Sequence, residues 1–442
     1  MNAVLNLIKL VSDIKFTIRW YTGMAITWSL LAVVLAVLNR TQFFFILDAA
    51  PMLDYGYIRP VLTTVLIFGA LLSAFFAAAY YIIRETAGED NIELGVVAFV
   101  GFKLHQAALL LGLITIFAGY NKGREYGEMT WISDNLLIGA LAHFLIVAIA
   151  ALKKSDKKSL AASFAIISAS GALVLYFFGN FGLPNSPLTS VSLFTGMQDS
   201  AMQEIYRSGV LGYFIIFPLL TMLFQFVPSY YKVELHSRDM ASFCALAMIL
   251  MLPLAGGLGL LGTVAPEILQ SVGVFTSLAL TAGVLAGALN VRFSITQSGK
   301  YFISDSTGLL FRFGGFFLMY FAVLRGILAL PPLQNAVAFT WLNMKDLSVD
   351  VLTYGLLIIM GSMLVLAQKL SGKAWRAPVG WAMILMVTGI FCMVTADLFH
   401  GFLMNSVQSE LVPAETRDAY PTPATASWIA VILSGTLYQG AG

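Results

Sequence analysis

Charge is what this sequence has least of. Only 11% of its 442 residues are Asp, Glu, Lys or Arg, and the 25 basic and 23 acidic residues nearly cancel to a net charge of +2. So thin and even a charge leaves no basic footprint or acidic tail, which argues against nucleic acid as a partner. Cysteine is almost missing as well: Cys244 and Cys392 are the only two, each inside an apolar run. There is then no CxxC pair, no CxxCH haem-attachment site and no disulfide framework. Histidine is nearly as scarce, with four residues, His105, His143, His236 and His400, none in HxH or HH spacing. No soluble domain, linker or low-complexity segment interrupts the chain, and no inverted repeat with paired broken helices marks a secondary transporter. The glycine-rich run AGGLGLLG at 255–262 lacks the Lys-Ser/Thr and strand-turn-helix setting of a phosphate loop, so it reads as close helix packing. The 18 methionines are scattered core fillers without a Met-x-x-Met ladder.

What is abundant is apolar surface. Hydrophobic residues make up 59% of the chain and the mean hydropathy is +0.85, more than a soluble core can hide. A bilayer core of about 30 Å takes about 20 helical residues to cross. Stretches of that kind lie at 18–41, 58–84, 93–119, 131–153, 159–179, 204–229, 240–262, 266–294, 308–330, 347–370, 377–403 and 422–438. The expected fold is an all-α integral membrane bundle of about twelve transmembrane helices, a single polytopic domain over residues 1–442. Lys9, Lys15 and Arg19 precede the first long apolar run, which lacks the short core and small-residue cleavage site of a signal peptide and reads as a retained helix. Most Lys and Arg fall on one side if the N-terminus is inside, including Lys153, Lys154, Lys157, Lys158, Lys369, Lys373 and Arg376. Both termini are therefore expected in the cytoplasm, and the lysine cluster at 153–158 reads as a topology signal.

The segment 121–135, NKGREYGEMTWISDN, resembles the start of the fourth helix in subunit I of the cbb-type (C-family) cytochrome c oxidases and the related nitric oxide reductases, where a GxEYxE-W-xxD pattern follows an outer loop. YGYIRPVLTT at 55–64, YRSGVLGYF at 206–214 and AGGLGLLGTVAPEILQSVG at 255–273 resemble FGRLRPLHTN, YGHNAVGFF and AGPHHLHYTALPDWAQSLG of that family. The resemblance runs over nearly the whole chain. It implies the subunit I fold in a bacterial inner membrane.

It also implies where cofactors would be held, and there the sequence departs from the family. Haem iron and copper are bound in that family by imidazole nitrogen, which no aliphatic side chain replaces. The positions of the low-spin haem ligands correspond to Leu62 and Val349, and that of the high-spin haem ligand to Leu347. The copper-ligand positions correspond to Ser208, Leu258 and Gly259, and the cross-linked tyrosine to Leu252. The four histidines cannot rebuild two haems and a three-histidine copper site, and each reads as a packing or interfacial residue; a single new haem on His105 or His143 is the alternative. The expectation is a chain without haem or copper.

Glu125 and Glu128 match the family's two carboxylates beside a calcium that also contacts haem propionates. Calcium prefers hard oxygen ligands, so these two are the candidate calcium residues; otherwise Glu125 pairs with Arg124 or a neighbouring base. Ionisable groups inside a membrane are costly unless paired. Arg207 or Arg325 is therefore expected to pair with Asp350, in space the propionates vacate. Lys103, near His105 at an expected helix end, reads as snorkelling to headgroups. The void left by two haems is expected either to collapse around Leu62, Leu258 and Leu347 or to hold a lipid or quinone. Two functions follow. One is a non-catalytic scaffold subunit of a respiratory complex with cytochrome c-type or other redox membrane subunits. The other is a quinone-, lipid- or small-molecule-binding membrane protein or transporter that reuses the pocket.

Overall fold

A computed structural model describes residues 13–41, 55–88, 94–156, 159–180, 182–261, 263–299, 306–337, 346–373, 387–391 and 395. Within the membrane every backbone N–H and C=O must be satisfied by its own segment, and the apolar stretches accordingly coil into helices. They are α1 (Ile14–Thr41), α2 (55–87), α3 (Gly95–Phe117), α4 (Trp131–Lys153), α5 (Leu160–Asn180), α6 (196–231), α7 (Arg238–Ala255), α8 (Glu267–Gln297), α9 (Ser306–Leu328), a short α10 (Pro331–Val337) and α11 (Ser348–Ser371). Ten of the described helical segments are long and apolar enough to cross a membrane, so the protein is an all-α membrane bundle. The span expected at 377–403, apart from residues 387–391 and 395, the span expected at 422–438, His400 and both chain termini lie outside the described residues.

Two local differences from the sequence expectation have clear causes. The sixth span is expected at 204–229, but α6 begins at Gly196, with a polar first turn that apolar length does not reveal. Residues 182–192, which fall between two expected spans, pair as an antiparallel hairpin of β1 (Gly182–Pro184) and β2 (Ser190–Ser192), with Leu183 opposite Val191.

Three helices form the centre. In the most apolar stretch of α2, α6 and α11, 100%, 89% and 78% of residues are buried, against 39–56% in the other seven spans. These same three contain π-helical segments, Val65–Leu71 in α2, Val210–Ile216 in α6 and Val351–Gly355 in α11. Such wide turns inside α-helices are frequent at functional sites. Each follows by a turn or less a position the family resemblance assigns to a metal ligand: Leu62, Ser208, and Leu347 with Val349.

Candidate functional site

The α2 side of the centre is filled. Leu62 is buried, and Val65, Leu66, Ile67 and Phe68 behind it are wholly so. Phe68 packs edge-on against Tyr176 and Phe214, at ring separations of 5.5 and 5.4 Å. His105 lies here, wholly buried near the middle of α3 rather than at the helix end where the sequence suggests it. Its Nε2 lies 2.8 Å from the Phe68 carbonyl in the π segment, and its Nδ1 lies 3.2 Å from Gln106 Nε2. Gln106 Oε1 in turn accepts from Trp28 Nε1 at 3.0 Å. Both imidazole nitrogens are thus engaged, so His105 has no lone pair left for iron. His143 Nδ1 donates to Gly139 O of its own helix at 2.7 Å, and His236 meets Gln297 at 2.7 Å.

The other side is not filled. Ser208, Leu258 and Gly259, which the resemblance sets at copper-ligand positions, converge with Leu347, which it sets at the high-spin haem position, on one cavity of about 130 Å³. Val349 and Leu62 are not among its walls. The polar lining includes Arg207, Glu204 and Arg325. Glu204 and Arg207, three residues apart on α6, pair with each other. Their carboxylate and guanidinium stand where a side chain at Gly259 would: a Cβ there would fall 1.8 Å from Glu204 Oε2 and 2.6 Å from Arg207 Nη2. Leu252 packs against Gly212, where a Cβ would lie 2.1 Å from its methyl carbon. Ser208 Oγ donates to the Leu252 carbonyl at 3.2 Å. Leucine, valine and glycine side chains offer iron no lone pair, and the space above Gly259 is occupied by an ion pair. The residues present do not fit haem or copper.

Beyond the cavity the charged residues join into a lattice at one end of the bundle. Arg325 pairs with the buried carboxylate of Asp350, which also accepts from the Tyr354 hydroxyl at 2.8 Å. Arg207, the other arginine considered for Asp350, faces Glu204 instead because α6 presents that carboxylate one turn earlier. Tyr126 ties the sides together: its hydroxyl accepts from Leu347 N and its carbonyl from the Tyr206 hydroxyl, both at 2.7 Å. Tyr126 and Tyr206 stand in segments that carry the family resemblance, but the sequence assigns them no role, and Tyr354 lies in an apolar run with no distinguishing pattern.

The pairing considered between Arg124 and Glu125 does not form. Tyr126, which follows them, adopts a left-handed backbone (φ 61°). Arg124 reaches Asp199, the Gly179 carbonyl at 2.5 Å and Ser192 Oγ at 2.5 Å. Glu125 meets a different base, Arg59, at 2.8 Å, with Arg207 at 4.0 Å. Lys122 pairs with Asp134, which also accepts from the Tyr176 hydroxyl at 2.7 Å. Glu128 is buried; Thr63 donates to one of its oxygens at 3.2 Å and the other has no partner. Burial raises its carboxyl to about 7, against smaller opposing effects of nearby hydrogen bonds. Burial likewise raises the Tyr126 phenol. A carboxylate held by a guanidinium beside one that burial leaves only partly ionised near neutral pH makes a poor cradle for calcium. Among the described residues no three His, Cys, Asp or Glu side chains gather as a metal site.

A family model described as "Cytochrome C and Quinol oxidase polypeptide I" matches residues 17–435. The chain is 25% identical over 292 residues to the cbb3-type cytochrome c oxidase subunit CcoN1 of Stutzerimonas stutzeri, covering 65% of this chain and 61% of that one. It is 26% identical over 246 residues to cytochrome c oxidase subunit 1 of Rhodobacter capsulatus, covering 54% and 46%. It is also 26% identical over 272 residues to a cytochrome c oxidase subunit 1 homolog of Agrobacterium tumefaciens (strain T37), covering 60% and 50%. The chain thus spans about half to three fifths of the length of the curated relatives it matches.

Proposed function

This chain belongs to the cytochrome c and quinol oxidase polypeptide I family, a multi-pass protein of the bacterial inner membrane, and from that premise we propose that it is a non-catalytic scaffold subunit of an electron-transfer complex. Reduction of oxygen or nitric oxide in such a bundle needs a haem iron beside a second metal. The observation that carries the reading is the lining of the central cavity. Ser208, Leu258, Gly259 and Leu347 surround it without one imidazole, and the Glu204–Arg207 pair stands in the space a ligand at Gly259 would need.

The partners that this reading assigns are cytochrome c-type or other redox membrane subunits. Support comes from the shared fold and from the ion pairs Arg59–Glu125 and Arg124–Asp199, which the segment 121–135 carrying the family resemblance makes with other parts of the chain. The test is affinity purification of the tagged full chain from its native membrane, followed by haem staining of each separated subunit and a pyridine haemochrome spectrum. The expected result is covalent haem on co-purifying subunits and none on this chain. Stoichiometric haem or copper on the isolated chain, or a chain that purifies with no redox subunit, overturns the reading.

A further inference from the structure

We propose that a second cavity, walled by the β1–β2 hairpin, the segment before α4, the end of α5 and the first turns of α6, binds a neutral polyhydroxylated ring, the chemistry of a free sugar or of a glycolipid head group. It shares no residue with the central cavity, so the proposal holds whichever redox subunits surround the chain.

Local hydrogen bonding holds this space open. Lys122 pairs with Asp134 and donates to Asn180 O at 3.0 Å, while Arg124 joins Gly179 O, Ser192 Oγ and Asp199. Trp131 Nε1 donates to Ser186 O at 3.3 Å, which ties the hairpin turn to the start of α4. The enclosed space is about 310 Å³. An apolar cavity of roughly 150 Å³ already admits a benzene ring, so a six-membered ring with its substituents fits here.

The lining decides what the ring must carry. Thr130 is 2% exposed, and its hydroxyl has no protein partner; Asn180 is 3% exposed, and its amide oxygen has no donor. Gln203 gives an amide N–H to Asp199 at 2.7 Å, which leaves its own oxygen to accept, and Asn121 Oδ1 takes the Gly123 N–H at 2.7 Å, which leaves its amide N–H groups to donate. The set therefore mixes donors and acceptors, and a hydroxyl is the group that serves both. Lys122 and Arg124 each face a carboxylate, so an ion would enter without a countercharge, and a hydrocarbon would leave Thr130 and Asn180 buried and unpaired. Water shares the hydroxyl chemistry and yields where a ligand reproduces its hydrogen bonds. A ring with several hydroxyls does so while its C–H face covers the exposed ring of Tyr120 in the same lining.

The test uses the full chain, extracted without sugar detergents, in phosphatidylcholine bilayer discs. D-glucose, D-galactose and D-mannose are the soluble probes, read by saturation-transfer NMR against empty discs, and glucosyl diacylglycerol in the disc is the lipid probe, read by native mass spectrometry. At least one probe is expected to bind saturably; a free sugar bound alone assigns the site to a soluble ligand, and a retained glycolipid assigns it to a head group. Tetrahydropyran-2-methanol, which keeps the ring but one hydroxyl only, and glucuronate, which adds a charge, should fail to compete. Thr130→Val keeps the shape of the side chain, and the hydroxyl it removes caps no helix N–H, so it should weaken binding about fivefold, the worth of one hydrogen bond, at an unchanged unfolding midpoint. Should that variant not fold, Tyr120→Ala, at an exposed ring, should weaken binding alike. No saturable binding of any probe up to about 10 mM, competition by either comparison compound, or affinity unchanged in the folded variant overturns the proposal. Its failure leaves the scaffold reading intact, because the readout is binding to one chain at a site outside the central cavity.

Discussion

The two halves of the bundle centre solve the same problem in different ways. Around Leu62 and Phe68 the space is closed by packing: large side chains on α2, α3, α5 and α6 meet with little room left between them, and His105 is used to satisfy the Phe68 carbonyl. Around Ser208, Gly259 and Leu347 the space is held open, and its border is built from paired charges. Even the carboxylates differ. Glu204 and Asp350, beside the cavity, each have an arginine, whereas Glu128, beside the closed half, has a threonine hydroxyl and one oxygen without a partner. Closure by apolar contact needs no countercharge. A persistent cavity with polar groups on its rim does need one, because unpaired charge in a membrane interior is costly. The difference teaches that a bundle centre lined without imidazole can close by packing on one side and keep a pocket on the other.

The comparison is tested most severely at its charged border. Arg325→Met leaves Asp350 buried and without its guanidinium, and should destabilise the chain by about 3–5 kcal/mol. Removing both charges in Arg325→Met/Asp350→Leu should recover most of that loss. Thermal unfolding or steric trapping in bilayer discs measures both. If the single variant costs less than about 1 kcal/mol, the cavity border is not maintained by its ion pairs.

The closed half gives the next effect, and its sign is opposite to that of a paired carboxylate. Glu128 is raised from its ordinary 4.5 to about 7 by burial. Between those values the folded chain holds a proton that the unfolded chain has released, so stability is greatest at the acid end and falls as pH rises to 7. The loss should approach about 3 kcal/mol between pH 5 and pH 8. Glu128→Gln, which stays neutral, should remove that part of the slope. Unfolding midpoints of both chains across this range check it, and equal slopes would show that Glu128 finds a countercharge.

Much of this architecture is legible in the sequence. Ten expected spans match helices because membrane insertion depends on local apolar length, a property each segment carries alone. The scarcity of histidine is legible in the same way, because a side chain is either present or absent in the sequence. What the sequence hides depends on long-range packing. Glu125 follows Arg124 in sequence, yet the left-handed turn at Tyr126 accompanies a divergence that sends one to Arg59 and the other to Asp199. Lys103 and His105 suggest a helix end, but their side chains diverge: Lys103 is exposed with its ammonium over Phe99 and Phe102, while His105 points into the core. The π segments have no composition signature, and whether a vacated pocket closes depends on side chains hundreds of residues apart.

The smallest expected effect discriminates between the halves most directly, because it asks the same substitution of each. Ala70 lies in the π segment of α2, wholly buried on the closed side; Ala322 lies on the cavity wall and is 7% exposed. Adding a phenyl ring to a packed interior forces neighbours off their preferred rotamers and typically costs about 1–3 kcal/mol. Ala70→Phe should show that cost in full, since Ala70 is wholly buried and does not line the cavity. Ala322→Phe places its ring into existing space, where new contacts offset the lost side-chain freedom, and should leave the unfolding midpoint within the equivalent of about 1 kcal/mol or raise it slightly. The difference between the variants, rather than either alone, isolates the cavity from general tolerance of the bundle. Equal destabilisation would mean that the cavity closes in the membrane-embedded protein, and that both halves have collapsed.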